Sequence, residues 1–182
     1  MRIDPASHLV VGVQFVPSPN FDERPVNMPL SLIVIHNISL PPNEFGGPYI
    51  EQLFTNRLDP KAHPYFEKIA DQKVSAHILI RRDGRMLQFV PFNKRAWHAG
   101  ESNYKGKPRS NDYSIGIELE GADNAPYEAA QYSVLATLVD SLRIVYPSLS
   151  KEDIAGHSDI APGRKSDPGL AFEWKKFQEL LA

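Results

Sequence analysis

The sequence predicts an α/β fold, a single domain in which helices pack on a mixed β-sheet. Ser31 to Asn37 is a short, nearly continuous apolar run, which is typical of a strand buried on both faces. Tyr113 to Gly121 alternates with a period of two, as a strand does, and residues 126–146 carry apolar side chains at the spacing of one helix face. With 182 residues, 42% of them hydrophobic, the chain can bury one sizeable core.

The other elements are predicted from turn and stop signals. Residues 1–29 are rich in proline and are expected to form an irregular or partly extended arm. Asp83 and Gly84 form a strong turn signal between two apolar runs, which predicts a β-hairpin, and Pro147 predicts the end of the long helix. Because no repeat or internal linker interrupts the chain, one domain is expected over 1–182. The expected strands are 31–37, 74–81, 85–90 and 113–121, with a short strand before His157; the expected helices are 49–55, 65–71, 126–146 and 170–181; and the expected loops are 40–47 and 94–107.

The charge of the chain limits which partners it can bind. It has 20 Lys and Arg residues against 22 Asp and Glu residues, a net charge of −2, which argues against a general nucleic-acid or membrane binder. From Arg81 to Arg109, however, eight basic residues accompany only two acidic ones. This basic stretch is either a solvated face or a binding surface for a ligand that carries carboxylates.

The chain contains no cysteine, so a metal site must use His, Asp or Glu, and nothing indicates an oxidising compartment. The apolar run near the N-terminus, Leu9 to Val16, follows Asp4 and Pro5, and no small-residue cleavage site comes after it. No run approaches the ~20 apolar residues of a membrane span. We therefore expect a cytoplasmic protein without a signal peptide.

Residues 156–169, GHSDIAPGRKSDPG, concentrate polar side chains in a segment that prolines and glycines shape into a loop. The loop opens with His157, and His36 ends the buried strand 31–37, at the sheet edge where ligand sites gather. A hydrolytic zinc needs three such ligands and an open position for water. The third ligand can be Asp159 or Asp167, and the Pro-Gly pair that follows favours Asp167 slightly. Each histidine alone also fits an ordinary surface or core residue.

Two glutamates share one face of the strand 113–121. Glu118 can act as the general base for the attacking water, Glu120 is its rival, and both also fit a surface pair. Lys165, two residues before Asp167, can stabilise the oxyanion that forms during attack on an amide, or it can simply extend into solvent. The residues alone therefore favour a metallohydrolase.

Five separated motifs resemble a known family. In order, the chain carries VIHNISLPPNEFGGPYI, VSAHILIRRDG, RAWHAG, NDYSIGIELEG and GHSDIAPGRKSDPG. Together these motifs resemble the AmpD-type N-acetylmuramoyl-L-alanine amidases, zinc enzymes related to phage lysozyme-like amidases and peptidoglycan recognition proteins. The resemblance extends from about Val16 to the C-terminus, and the preserved order of the motifs makes it specific.

The resemblance implies the mixed-sheet fold of these zinc amidases and specific roles for eight residues. One zinc ion (Zn2+) per chain would be bound by His36, His157 and Asp167. Glu118 matches the catalytic glutamate, and Lys165 matches the lysine that stabilises the transition state. The residues that match those holding the substrate are Asn37, Arg109 and Ala161.

The implied activity is hydrolysis of the amide bond between (1,6-anhydro-)N-acetylmuramic acid and the L-alanine of muropeptides, in cytoplasmic peptidoglycan recycling. Phage relatives carry a cysteine at the position of Asp167 and a tyrosine at that of Ala76, and this chain has neither. The expected partner is a small soluble anhydro-muropeptide, with no nucleic acid, membrane or obligate protein partner. Two alternatives remain: a peptidoglycan-binding module without turnover, and an exported amidase that acts on intact cell wall.

Overall fold

The structure, a computed structural model, describes residues 1–182. Its strands are β1 (Gln14–Phe15), β2 (Phe21–Glu23), β3 (Leu32–Ile38), β4 (Ile78–Ile80), β5 (Met86–Gln88), β6 (Lys94–Ala96), β7 (Asn103–Tyr104), β8 (Lys107–Pro108), β9 (Ser114–Glu120) and β10 (Ile154–Gly156). Its helices are α1 (Tyr49–Phe54), α2 (Ala129–Val145), α3 (His157–Ile160) and α4 (Trp174–Glu179), with 3₁₀ turns at Phe66–Lys68 and Ser110–Asp112.

A six-stranded sheet in the order β1-β5-β4-β9-β3-β10 forms the centre of the molecule. Strands β4, β9, β3 and β10 are parallel, whereas β5 runs antiparallel to β4 as the second strand of the predicted hairpin. The sheet is therefore mixed and carries helices, which confirms the predicted α/β class. No helix is both long enough and apolar enough to cross a membrane.

The two central strands, β3 and β9, pair in parallel over seven residues each. In this register His36 of β3 lies directly opposite Glu118 of β9. Because the strands are parallel, their carboxyl ends meet at one edge of the sheet. The polar residues that end β3 and β9 are thus brought together at that edge.

Helix α2 covers one face of the sheet with a continuous apolar stripe. Leu138 and Val139 are fully buried there and pack against Ile117 and Leu119 of β9 in the largest hydrophobic cluster. Burial of each such side chain contributes roughly 1.5–3 kcal/mol to the free energy of unfolding. A capping box at Glu128 begins the helix. The opposite face carries α1 and α3, whose apolar residues form two smaller clusters.

The structure differs from the predicted elements where pairing depends on distant partners. The predicted loop 94–107 contains β6, which pairs with β2 of the N-terminal arm, and a small β7-β8 hairpin that extends to Pro108. The arm, 1–29, also supplies β1 to the main sheet. The predicted helix 65–71 is only a 3₁₀ turn at Phe66–Lys68. These short segments lack a periodic signal of their own, so their conformation is set by what they pack against.

Candidate active site

A cleft of about 320 Å³ opens at the carboxyl edge of the sheet, above the ends of β3 and β9. Strand β10 pairs with β3 so that Gly156 lies opposite Ile35. The residue that follows each of these two in the chain is a histidine, His36 within β3 and His157 at the start of α3, so the two meet although they are 121 positions apart. The loop after α3 then brings Asp167 to the same point. The sheet register and one loop therefore assemble the site.

Three side-chain atoms converge in this cleft. His36 Nδ1 lies 3.0 Å from His157 Nδ1 and 3.0 Å from Asp167 Oδ2, and His157 Nδ1 lies 3.1 Å from Asp167 Oδ2. The ligand atoms of a tetrahedral zinc ion, with bonds of roughly 2.0–2.2 Å, lie about 3.3–3.6 Å from one another. The triangle thus has the donor types of a three-ligand zinc site, and its edges are slightly shorter than those around a bound ion.

The outer nitrogen of His157 supports a metal in the triangle. His157 Nε2 is 3.1 Å from the carbonyl oxygen of Ala99, which can only accept, so Nε2 carries the proton. When this ring binds a metal, Nδ1 carries the lone pair and lies 3.1 Å from Asp167 Oδ2, so both atoms can face one cation.

The protonation states of His36 and Asp167 also suit metal binding. Burial lowers the pKa of His36 to about 4, so its imidazole is neutral near pH 7. Burial alone would raise the pKa of Asp167, but its close contacts with the His157 and His36 rings outweigh burial and hold that pKa well below its usual range. A neutral imidazole and an ionised carboxylate are the forms that bind a metal ion.

Residue spacing left two aspartates as candidates for the third ligand, and the family resemblance implied Asp167. Asp159 Oδ2 accepts a hydrogen bond of 2.7 Å from the backbone N–H of Gly156 and so caps the start of α3. It does not join the triangle with His36 and His157, whereas Asp167 does. The structure therefore brings Asp167, and not Asp159, to the two histidines.

The two glutamates of β9 have different surroundings, although both are buried rather than forming a surface pair. Glu120 Oε1 accepts hydrogen bonds from Arg81 (2.6 Å) and from the backbone of Gly46 (2.7 Å), which makes it a structural anchor. Glu118 lines the cleft, and its Oε2 has no partner. Burial, together with the negative charge of Asp167, raises the pKa of Glu118 well above its usual value. An unpartnered carboxylate with a raised pKa fits a general base.

The remaining predicted residues are divided between the cleft and its surroundings. Lys165 and Asn37 line the cleft, and the Asn37 amide donates to Asp123 Oδ1 (2.8 Å) and to Pro168 O (3.0 Å), holding the turn after Asp167. The structure does not bring the last two predicted residues into the cleft. Arg109 and Ala161 instead line a separate depression of about 530 Å³, which Arg164 also lines.

The basic stretch does not form one cationic surface at the cleft. Six of its eight basic residues form ion pairs with acidic residues, most of them distant in sequence, and none of the eight lines the cleft. Lys107 instead lies 3.9 Å from the centre of the Tyr113 ring. The interpretation as a binding surface for carboxylates therefore fails for the stretch as a whole. Arg109, whose side chain is 71% exposed, keeps its guanidinium open to a ligand.

Sequence reasoning assigned no role to His98, which the structure places against the site. The residue is buried in the cleft wall, and its Nδ1 lies 2.9 Å from Nε2 of His36. Its position within the RAWHAG motif was the available signal. A histidine in an irregular loop gives no periodicity from which its contacts can be read.

Comparisons with known proteins agree with this geometry. A family model described as N-acetylmuramoyl-L-alanine amidase matches residues 26–170. The chain is 56% identical over 173 residues to the 1,6-anhydro-N-acetylmuramyl-L-alanine amidase AmpD of Escherichia coli K12, covering 95% of this chain and 94% of that protein.

Two solved structures extend the comparison. The crystal structure of a selenomethionine AmpD derivative superposes with a TM-score of 0.96 and 53% identity over the whole of both chains. The amidase AmiD from E. coli, in complex with anhydro-N-acetylmuramic acid-L-Ala-D-γ-Glu-L-Lys, has a TM-score of 0.61 and 30% identity, covering 83% of this chain and 57% of that one. The family match, the identity over nearly the full length and the shared fold lead to one conclusion. The chain belongs to the N-acetylmuramoyl-L-alanine amidase family and is an amide-bond hydrolase.

Proposed function

We propose that this enzyme uses zinc to hydrolyse the bond between 1,6-anhydro-N-acetylmuramic acid and L-alanine in soluble anhydro-muropeptides. The observation that carries the proposal is the convergence of His36, His157 and Asp167 in one cleft with the unpartnered carboxylate of Glu118. The high identity to relatives named for this substrate supports the choice of the anhydro sugar.

His36, His157 and Asp167 would hold the zinc ion. When bound, zinc would polarise the scissile carbonyl and lower the pKa of water to near neutrality. Three protein ligands leave one coordination position open, as a catalytic site requires. A complete set of ligands also argues against the alternative of a binding module without turnover.

Glu118 and Lys165 supply the proton transfer and the positive charge of the proposed mechanism. Glu118 takes the proton of the attacking water and later passes it to the departing amine of L-alanine. Its raised pKa strengthens the carboxylate as a proton acceptor in the first of these transfers. Lys165, whose charge acts on Glu118 and His36, stabilises the negative charge on the tetrahedral intermediate.

The muropeptide would extend from the cleft toward the depression lined by Arg109 and Ala161. The stem peptide carries carboxylates, and the exposed guanidinium of Arg109 can bind one of them with two parallel hydrogen bonds. Asn37 keeps its side-chain oxygen free to accept from the substrate, because its amide nitrogen makes both of its protein contacts. These three residues would therefore orient the substrate across the metal site.

The proposal includes a role in peptidoglycan recycling in the cytoplasm, where the substrate is a soluble fragment. The resemblance to AmpD-type enzymes and the absence of cysteine support this location. Fractionation of cells that express the native protein tests it, and recovery in the periplasm would contradict it.

The experiment that tests the function follows peptide release from anhydro-N-acetylmuramoyl-tripeptide by mass spectrometry. We expect cleavage that a chelator abolishes and added zinc restores. Intact sacculi, assayed in parallel, should be a poor substrate, and preferential cleavage of sacculi would favour the exported-amidase alternative. Zinc bound without cleavage of either substrate would favour a binding module.

Replacement of Lys165 by alanine is expected to lower kcat by ~100-fold while leaving zinc stoichiometric, because one charged donor to the oxyanion is lost. Kinetic measurement and metal analysis on the same preparation check this result. The control is Lys175→Ala on α4, where the side chain is 90% exposed and pairs only with Glu179. A kcat equal to that of the wild type would show that Lys165 simply extends into solvent.

A further inference from the structure

Residues 97–100, Trp-His-Ala-Gly, pass behind the metal-site triangle and contact both of its histidines. Nε2 of His36 lies 2.9 Å from Nδ1 of His98, and Nε2 of His157 lies 3.1 Å from the carbonyl oxygen of Ala99. Both contacts are buried. One short segment thus meets the outer nitrogen of each histidine that faces the metal position.

The hydrogen bonds of this segment have a defined direction. If His36 binds a metal through Nδ1, its neutral ring carries the proton on Nε2, which donates to His98 Nδ1. The proton of the His98 ring is then on Nε2, which lies 3.1 Å from Ser114 Oγ and donates to it. Each ring is thereby fixed in one tautomer, in the order His36, His98, Ser114.

The backbone of the segment is itself held in place. Asn111 Oδ1 accepts hydrogen bonds from the backbone N–H groups of His98 (3.2 Å) and Ala99 (2.8 Å). Gly116 of β9 leaves room for the His98 ring, since a Cβ at Gly116 would lie only 2.4 Å from its Cγ. The ring therefore fits tightly between strand and segment, and it cannot turn without displacing its neighbours.

We propose that His98 is a positioning residue for the metal site: it holds His36 in the tautomer and orientation that direct Nδ1 at the metal. This inference rests on the proposed metal binding by His36, His157 and Asp167. Outer partners of metal-binding histidines raise ligand basicity and fix the ring, and their loss weakens metal binding by about 10–100-fold. His98 is not one of the three groups of the triangle, and it acts through His36.

Zinc affinity tests the proposal without depending on turnover. Competition with a chromophoric chelator should show 10–100-fold weaker zinc binding in His98→Leu. In His98→Asn most of the affinity should remain, because the amide oxygen can replace Nδ1 as the acceptor. The matched control is His77→Asn, which removes another buried imidazole whose Nδ1 and Nε2 contact the backbone at Gly116 and Lys94. Its zinc affinity should equal that of the wild type.

A second measurement uses the wild-type protein, so its result does not depend on whether a variant folds. Long-range ¹H–¹⁵N NMR of the zinc-loaded wild type should show His36 and His98 protonated at Nε2. Protonation of His98 at Nδ1, or unchanged zinc affinity in folded His98→Leu, would overturn the inference while the proposed function stands. A wild-type protein that binds no zinc would overturn both.

Discussion

Replacement of His157 by alanine is expected to abolish zinc binding and to lower kcat/KM by about 10³-fold or more. The site has three protein ligands, and two cannot hold a zinc ion with catalytic geometry. Metal activation of the nucleophile and polarisation of the carbonyl supply several kcal/mol of transition-state stabilisation, which are lost together with the metal. Elemental analysis after desalting and the peptide-release assay check both expectations.

The matched control for this variant is Asp159→Ala, two residues further along α3. Asp159 caps the backbone of Gly156 and does not join the triangle, so its loss should cost about 1 kcal/mol in the free energy of unfolding and leave zinc stoichiometric. Circular dichroism establishes that both variants are folded. Stoichiometric zinc in folded His157→Ala would contradict the ligand assignment, and loss of zinc in Asp159→Ala alone would transfer the role to Asp159.

The elements that sequence predicted well are those with a strong pattern of their own. Strand β3 is nearly continuous apolar sequence, and the helix predicted over 126–146 is observed as Ala129–Val145. By contrast, β6 forms because the N-terminal arm lies beside it, and no feature within Lys94–Ala96 reports that neighbour. Local patterns encode burial and period, whereas short ladders at the margin of a fold depend on partners elsewhere in the chain.

Sequence reasoning predicted which residues belong to the candidate site more fully than it predicted how they are arranged. His36 could be selected because it ends a buried strand, and His157 because it opens a constrained loop. Residue spacing left open the choices between Asp159 and Asp167 and between Glu118 and Glu120; the resemblance implied Asp167 and Glu118, and the physical difference within each pair lies in partners that the fold supplies. For Glu120 the decisive partner is Arg81, on the loop that follows the neighbouring strand β4.

The sequence-based interpretation of the basic stretch as a binding surface also fails because it depends on partners that are distant in the chain. The surplus of basic residues between Arg81 and Arg109 is neutralised by carboxylates from other parts of the chain, such as Asp22 and Asp153. A local count of charge cannot register partners that the fold brings from a distance. Among the exposed basic residues of the stretch, Arg109 is the one that lines the depression beside Ala161.

Replacement of Glu118 by glutamine is expected to lower kcat on the order of 10³-fold without loss of zinc. The amide keeps the shape and the cleft packing of the carboxylate but cannot accept the proton of the attacking water, and general base catalysis typically contributes 10²–10⁴-fold. The wild-type rate should rise with pH through the raised pKa of Glu118, because only the ionised form is a base. In Glu118→Gln this dependence on Glu118 should disappear, so the acid side of the pH–rate profile should flatten.

Glu120, the other glutamate on this face of β9, provides the control. Glu120→Gln removes the charge that Arg81 binds, so it should lower the unfolding temperature while kcat changes far less than in Glu118→Gln. Both variants replace Glu with Gln, at positions two residues apart on the same face of β9. A difference in kcat between them therefore reports the environment of each carboxylate. A larger fall in kcat for Glu120→Gln would transfer the base to Glu120. Equal and small effects would mean that neither glutamate is the base and that the water loses its proton to another acceptor.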